Sequence, residues 1–314
     1  MNLVEAIRQA LEDGMAADST VLVMGEEVGA LSGAFHATEG LLARFGPDRV
    51  IHGHESQTGI LAAAVGMALT GLRPVVEIRS ADGVLSGFPE IREELAQVSR
   101  RPEGQWIAPV VVRIAVGAAG PPPGPFPETY FVGSPGLRVV CPSTPADAYG
   151  LLRSALEASG PVIVLEPTDL YQSAVGPVPR DHRCRLDKAR EVRPGARVTV
   201  ICWGSMVARC ESATVESGVD AHVIDARSLA PLDTDTMMAS VRRTGRCLIV
   251  HEARTYCGLG AELVAQVVEG CFFHLEAPPL RLRGPDESSS PQAGLSPSVA
   301  QIAEALRALA SSSA

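Results

Sequence analysis

Arg49-Val-Ile-His-Gly-His-Glu-Ser-Gln57-Thr-Gly59-Ile-Leu-Ala-Ala-Ala-Val-Gly-Met-Ala-Leu-Thr-Gly71 is the stretch from which the fold is read. Val50 and Ile51 start a strand, and Thr58 to Leu69 read as a helix rich in small residues. The segment between them carries His52, His54, Glu55 and Gln57. If His52 to Gln57 is extended, Glu55 and Gln57 point the same way, as do His52 and His54, because side chains on a strand alternate.

The same unit repeats in both directions. Upstream, residues 3–17 show helical spacing of Leu3, Ile7, Ala10 and Leu11. Val21 to Met24 is a short apolar strand that ends at Gly25-Glu26-Glu27-Val28-Gly29. Leu41, Leu42 and Phe45 belong to a helix closed by Gly46-Pro47. Downstream come a strand at Pro74–Ile78, a helix over Phe88–Val98 and a strand at Val110–Ile114. Val139-Val140, a helix over Pro145–Ala158 and a strand at Val162–Leu165 complete the set. Val- and Ile-rich runs alternating with helices predict an α/β fold, a parallel sheet covered on both faces.

From Glu166 to Pro194 the pattern dissolves into Pro, Gly, Arg and Asp. A second α/β set then follows, with strands at 198–201, 221–225 and 247–250 and helices near 206–217, 233–243, 258–268 and 297–310. The expected division is a first domain over 1–180, a linker over 181–196 and a smaller α/β domain over 197–314. A chain of 314 residues fits two domains of about 150.

Bulk composition excludes several classes. With 46% apolar and 20% charged residues the chain is that of a globular protein. Its apolar runs break before the roughly 18 residues that a membrane span needs. The start, Met-Asn-Leu-Val-Glu-Ala-Ile-Arg, lacks the basic and apolar regions of a signal peptide. A net charge of −9 argues against a nucleic-acid partner. Seven scattered cysteines, with no Cys-x-x-Cys pair, read as free thiols of a reducing cytoplasm and not as a disulfide framework or zinc site. Cys257 and Cys271 read as small buried residues.

Nearly the whole chain resembles the β subunit of the thiamine-diphosphate-dependent first component of 2-oxo acid dehydrogenase complexes, of the pyruvate and branched-chain types. The first-domain segments that carry the resemblance are Met24–Gly29, Thr38–Leu42, Phe45–Pro47, Ser56–Gly59, Gly71–Ile78, Pro135–Val140 and Pro161–Pro167. In the second domain they are Ile224–Leu229, Pro231–Thr234, His251–Ala253 and Gly258–Glu262. Each is weak alone; their order and spacing give the match its force. The resemblance implies a transketolase-like pyrimidine-binding domain followed by a transketolase C-terminal domain. It also implies that the cofactor lies between subunits. A separate α subunit would hold the diphosphate and Mg²⁺, in an α₂β₂ assembly in the family pattern, and this chain would receive the aminopyrimidine. The sequence has no Gly-Asp-Gly followed by an Asn-rich segment, so no metal ligands are assigned here.

The chain departs from the family at the site itself. The family's Ser-Glu-x-Gly glutamate bonds N1′ of the pyrimidine and promotes the tautomer that activates the thiazolium. The ungapped equivalent is Gln57, an amide that can bond N1′ but cannot hand over a proton. Losing such a group costs roughly 10²–10⁴-fold in rate. An aromatic residue that stacks on the pyrimidine becomes Gly83, just after Asp82. A family His-Ser-Gln loop becomes Ala118–Pro127 without histidine, and a further family histidine becomes Gly133. Two assignments of the acid–base role stay open: Gln57 in register, or Glu55 after a two-residue slip with His54 standing in for a lost group. Glu26 lies at a strand's carboxyl end, where open α/β sheets place ligands, and reads as a cofactor-contacting carboxylate or as an interface acid. Asp82 and Gly83 are cofactor-side candidates, with a loop cap as the alternative for Asp82. His251-Glu252 reads as domain packing and subunit interface.

The function these readings imply is a 2-oxo acid decarboxylase or dehydrogenase β subunit that passes an acyl group to a lipoyl acyltransferase component or another acceptor. The altered pocket points to a specialised relative in secondary metabolism. The rival reading is a non-catalytic partner subunit that keeps fold and interface.

Overall fold

Asn2 begins the first helix by reciprocal capping. Its side chain accepts from the Glu5 N–H and the Glu5 carboxylate accepts from the Asn2 N–H, both at 2.8 Å. This helix, α1 (Leu3–Ala17), buries the stripe Leu3, Ile7, Ala10, Leu11 and Met15. A computed structural model of the chain describes residues 1–29, 32–53, 56–98, 106–117, 128–253, 257–284 and 296–312. Among the candidates above, His54, Glu55 and the whole Ala118–Pro127 loop fall outside the described residues.

The described residues form two units, Met1–Leu186 with Leu229–Pro231, and Asp187–Ser228 with Leu232–Ala314. The first unit's strands are β1 (Val21–Gly25), β2 (Val50–His52), β3 (Arg73–Ile78), β4 (Val111–Val116), β5 (Arg138–Val140) and β6 (Val162–Pro167). The second unit contains β7 (Arg190–Arg193), β8 (Val198–Cys202) and β9 (Ala221–Asp225). β10 (Ser228–Ala230) joins the first unit's sheet, and β11 (Cys247–Val250) and β12 (Leu280–Leu282) belong to the second.

The first sheet runs β10-β5-β6-β4-β3-β1-β2, and the pairs from β5 to β2 are parallel. β1, β4 and β6 are buried at every residue, as strands covered on both faces must be. The chain leaves β1 for β2 on one side and then crosses back to β3 on the other. That reversal makes the carboxyl end of β1 a topological switch point, the place where open α/β sheets hold ligands.

The second sheet runs β12-β11-β8-β9-β7, parallel except for β7, which is antiparallel to β9. β7 lies inside the segment 181–196 expected as a linker. Its residues, Arg190-Glu-Val-Arg193, are a polar edge strand, so no apolar run marks them. Residues 90–95, expected to continue an α-helix, form a wider π-type turn. No helix among the described residues is long and apolar enough to cross a membrane.

None of the seven cysteines forms a disulfide among the described residues. Cys271 is buried as expected, but Cys257 is exposed, with φ of 59°. It precedes the helix Leu259–Cys271 from a loop, where the backbone turns out to solvent.

Candidate functional site

Three chain segments converge at the carboxyl ends of β1, β2 and β3. Helix α2 (Leu41–Phe45) lies between β1 and β2, and after β2 the chain enters helix α3 (Gln57–Leu69), capped by Ser56, whose Oγ accepts the Gly59 N–H at 3.2 Å. The cap fixes the register, so Gln57 is the first helical residue and its side chain lies inward, 7% exposed. The turn after β3 is fastened to the same helix end: Thr58 Oγ1 donates to the Ser86 carbonyl at 2.7 Å. Gly87 lets this turn approach, since a Cβ there would meet Leu61 Cδ1 at 2.3 Å.

The resulting cavity is about 350 Å³, lined by Glu26, Ser56, Gln57, Arg79, Ser80 and Gly83 among others. Gln57 Nε2 donates to Glu26 Oε1 at 2.7 Å. Gln57 Oε1 is buried and has no hydrogen-bond partner among the described residues. A buried carbonyl left in this way costs about 1–3 kcal/mol. The opposite amide orientation would set oxygen against a carboxylate, which only accepts when ionised. Arg79, 65% exposed, bonds Glu27 at 2.6 Å on the rim.

Gly83 has no side chain over this pair. A Cβ built there lies 3.7 Å from Gln57 Nε2 and 3.6 Å from Ile78 Cγ2, ordinary contact distances, so the position has room for a side chain. Asp82 is exposed, precedes the short turn at Gly83–Leu85 and makes no side-chain cap bond. The structure therefore brings Glu26, Gln57 and Gly83 together and leaves Asp82 on the outer side of their turn. Gly133 is exposed, with nothing near its Cβ position. His52 ends β2 and is exposed.

Behind the cavity the sheet carries a buried ionic cluster that sequence reasoning missed. Arg113 of β4 donates to Glu166 of β6 from Nε at 2.7 Å and from Nη2 at 2.9 Å, and from Nη1 to Glu77 of β3 at 2.9 Å. Tyr171 donates to Glu166 at 2.7 Å. Desolvation opposes the charge on Arg113, but Glu166 and Glu77 more than offset it and hold its proton more tightly than usual. Burial pushes the Tyr171 phenol well up, helped by Glu166, so it stays a donor. The available signal was a charged residue within each of three Val-rich strands: Pro-Val-Val-Glu77, Val-Val-Arg113 and Val-Leu-Glu166.

In the second unit His251 is fully buried, stacked on Trp203 with ring centroids 5.4 Å apart, and neither ring nitrogen has a partner among the described residues. Desolvation, with the nearby charges of Arg281 and Arg283, lowers its pKa to about 4.

Comparison with known proteins gives this geometry its family. Residues 1–173 match the transketolase pyrimidine binding domain and residues 187–302 match the transketolase C-terminal domain. The chain is 43% identical over 309 residues to the 2-oxoisovalerate dehydrogenase subunit beta of Pseudomonas aeruginosa, covering 91% of this chain and 87% of that one. This chain belongs to the E1 β-subunit family of 2-oxo acid dehydrogenases.

Other relatives agree. The pyruvate dehydrogenase E1 component subunit beta of Bacillus subtilis is 39% identical over 91% of this chain and 90% of its own length. The 3-methyl-2-oxobutanoate dehydrogenase subunit beta of Mycobacterium tuberculosis is 41% identical over 93% and 86%. A solved structure described as a split gene transketolase, inactive beta4 tetramer, superposes with a TM-score of 0.80 at 19% identity, covering 100% of this chain and 99% of that one, which shows the fold. Within this family the non-catalytic reading is not favoured, since these relatives carry the names of enzyme components.

Proposed function

We propose that the chain is the β subunit of a two-component, thiamine-diphosphate-dependent 2-oxo acid decarboxylase or dehydrogenase, active in the cytoplasm with a separate α subunit. The observation that carries this is the Gln57–Glu26 pair at the switch point of the first sheet, inside a cavity of about 350 Å³.

The residues present fit an aminopyrimidine. Such a ring offers nitrogen lone pairs and an amino donor; the Gln57 amide has a second N–H for a lone pair. Glu26 adds an acceptor, and Gly83 leaves the face of the ring open. Bound thiamine diphosphate would supply a carbon nucleophile for the 2-oxo carbonyl and an electron sink for loss of carbon dioxide. Gln57 orients the ring by hydrogen bonds, and the capped end of α3 holds Gln57 still. The buried Arg113 cluster keeps β3, β4 and β6 in fixed register beneath the site, so the turn carrying Gly83 is presented rigidly. The diphosphate and Mg²⁺ belong to the α subunit in this reading, and the acyl group passes to a lipoyl acyltransferase component or another acceptor.

The test is co-expression with an α subunit carrying the metal–diphosphate half. Thiamine diphosphate with Mg²⁺ is titrated into the complex and into each chain alone, and carbon dioxide release is followed with pyruvate and 3-methyl-2-oxobutanoate. Saturable binding that needs both chains is expected. Tight binding by this chain alone, or none by the complex, refutes the reading.

A further inference from the structure

We propose that the acid–base role which residue 57 cannot perform is carried by Glu26, with Gln57 acting as the donor that fixes the ring; the proposal rests on the thiamine-diphosphate reading above.

The division of labour follows from the geometry of the pair. Gln57 Nε2 carries two hydrogens, and one is committed to Glu26 Oε1 at 2.7 Å. The nitrogen lies 3.7 Å from the Cβ position of Gly83, so the same end of the amide borders the space that a side chain at Gly83 would fill. A ring nitrogen with a lone pair, seated there, finds the second N–H of Gln57. The amide oxygen, by contrast, is enclosed and unpartnered. The amide is thus held in one orientation by Glu26 at the expense of its own carbonyl.

Glu26 is the carboxylate among the described residues that line this cavity, and it is half-buried. It follows β1 directly, so the switch point of the sheet sets its position. Among the described residues, Arg79 is the other charged group that lines this cavity, and it bonds Glu27 at 2.6 Å. That pair is engaged with itself. His52, at the end of β2, is exposed. In the proposed step one proton moves between a Glu26 oxygen and a nitrogen of the aminopyrimidine; only that O–H and that N–H form or break, and the reverse transfer restores both. Proton transfer by a positioned side chain needs contact within hydrogen-bond reach, and Glu26, 2.7 Å from Gln57 Nε2 and lining the same cavity, would stand beside a ring held by that amide.

The experiment uses the complex with the α subunit, loaded with thiamine diphosphate and Mg²⁺, as wild type, Glu26→Gln, Glu26→Asp, Glu55→Gln and the exchange variant Glu26→Gln/Gln57→Glu. Two quantities are read: the dissociation constant, and the pH profile of hydrogen–deuterium exchange at the thiazolium carbon. Glu26→Gln is expected to slow exchange by about 10²–10⁴-fold and to flatten its pH profile, while affinity changes by less than about tenfold. Glu26→Asp keeps the titration at a reduced rate, which shows that a carboxylate and not a shape is required. The exchange variant, again one carboxylate against one amide, recovers exchange to within about tenfold of wild type. A titrating profile that survives Glu26→Gln overturns the proposal, and loss of that titration in Glu55→Gln instead does the same. A wild-type complex that binds no thiamine diphosphate removes the site reading itself, an outcome distinct from binding without Glu26-dependent exchange.

Discussion

His251 makes the second unit acid-sensitive by a calculable amount. Its side chain is fully buried against Trp203, both nitrogens lack partners among the described residues, and Arg281 and Arg283 oppose a third charge beside them. The folded-state pKa of about 4 lies below the unfolded value of 6.5. Between those two values the unfolded chain binds the proton and the folded one refuses it. Stability is therefore complete above about pH 6.5, is lost as pH falls toward 4, and changes no further below that. A difference of 2.5 units at 1.36 kcal/mol each is worth about 3 kcal/mol, of which about 2 kcal/mol is gone by pH 5. The assay is urea unfolding of the Trp106→Phe chain, so that Trp203 alone reports, at pH 8, 6, 5 and 4.5, in parallel with Trp106→Phe/His251→Phe. Carboxylates titrate in both, so the quantity of interest is the change in their stability difference with pH. That difference is expected to move by about 2 kcal/mol between pH 8 and pH 5 in favour of the phenylalanine chain. Parallel curves would refute the account of a neutral, desolvated imidazole.

Two further outcomes follow from the first unit. Arg113→Met leaves Glu77 and Glu166 buried without their cation, and urea unfolding should show that unit destabilised by about 3–5 kcal/mol; a loss under 1 kcal/mol would mean that water or a neighbour replaces the guanidinium. Gly83→Phe restores an aromatic face over Gln57 in a position with ordinary contact distances, so thiamine diphosphate should bind the complex about fivefold more tightly, equivalent to about 1 kcal/mol. Weaker binding there would show that the space above Gln57 is needed for something other than the pyrimidine ring.

The positions of most elements were legible before any coordinates. Helix α3, expected from Thr58 to Leu69, runs from Gln57 to Leu69, and the helix expected at 206–217 spans Met206–Ser217. Such segments announce themselves because apolar spacing and capping residues act within a few positions of one another. β10, β12 and the polar β7 were not legible, because three- or four-residue strands take their identity from the partner they pair with. Cys257 was expected inside and lies outside; its sequence neighbours hold no periodic signal, so only the path of the loop decides it.

At the site, the sequence by itself established that residue 57 is an amide where an acid is expected, that residue 83 has no side chain, and that the chain is two α/β units of a thiamine-enzyme family. It could not establish what Gln57 touches. Glu26 lies 31 positions away and reaches Gln57 because β1 sits between β2 and β3, a consequence of the crossover and not of any local pattern. Arg113 likewise meets carboxylates 36 and 53 positions off because three strands share one sheet. Local propensity selects helix or strand over a handful of residues. Which polar groups must neutralise one another in the interior is settled only when strands pair, since burial without a partner is what makes the wrong arrangement costly.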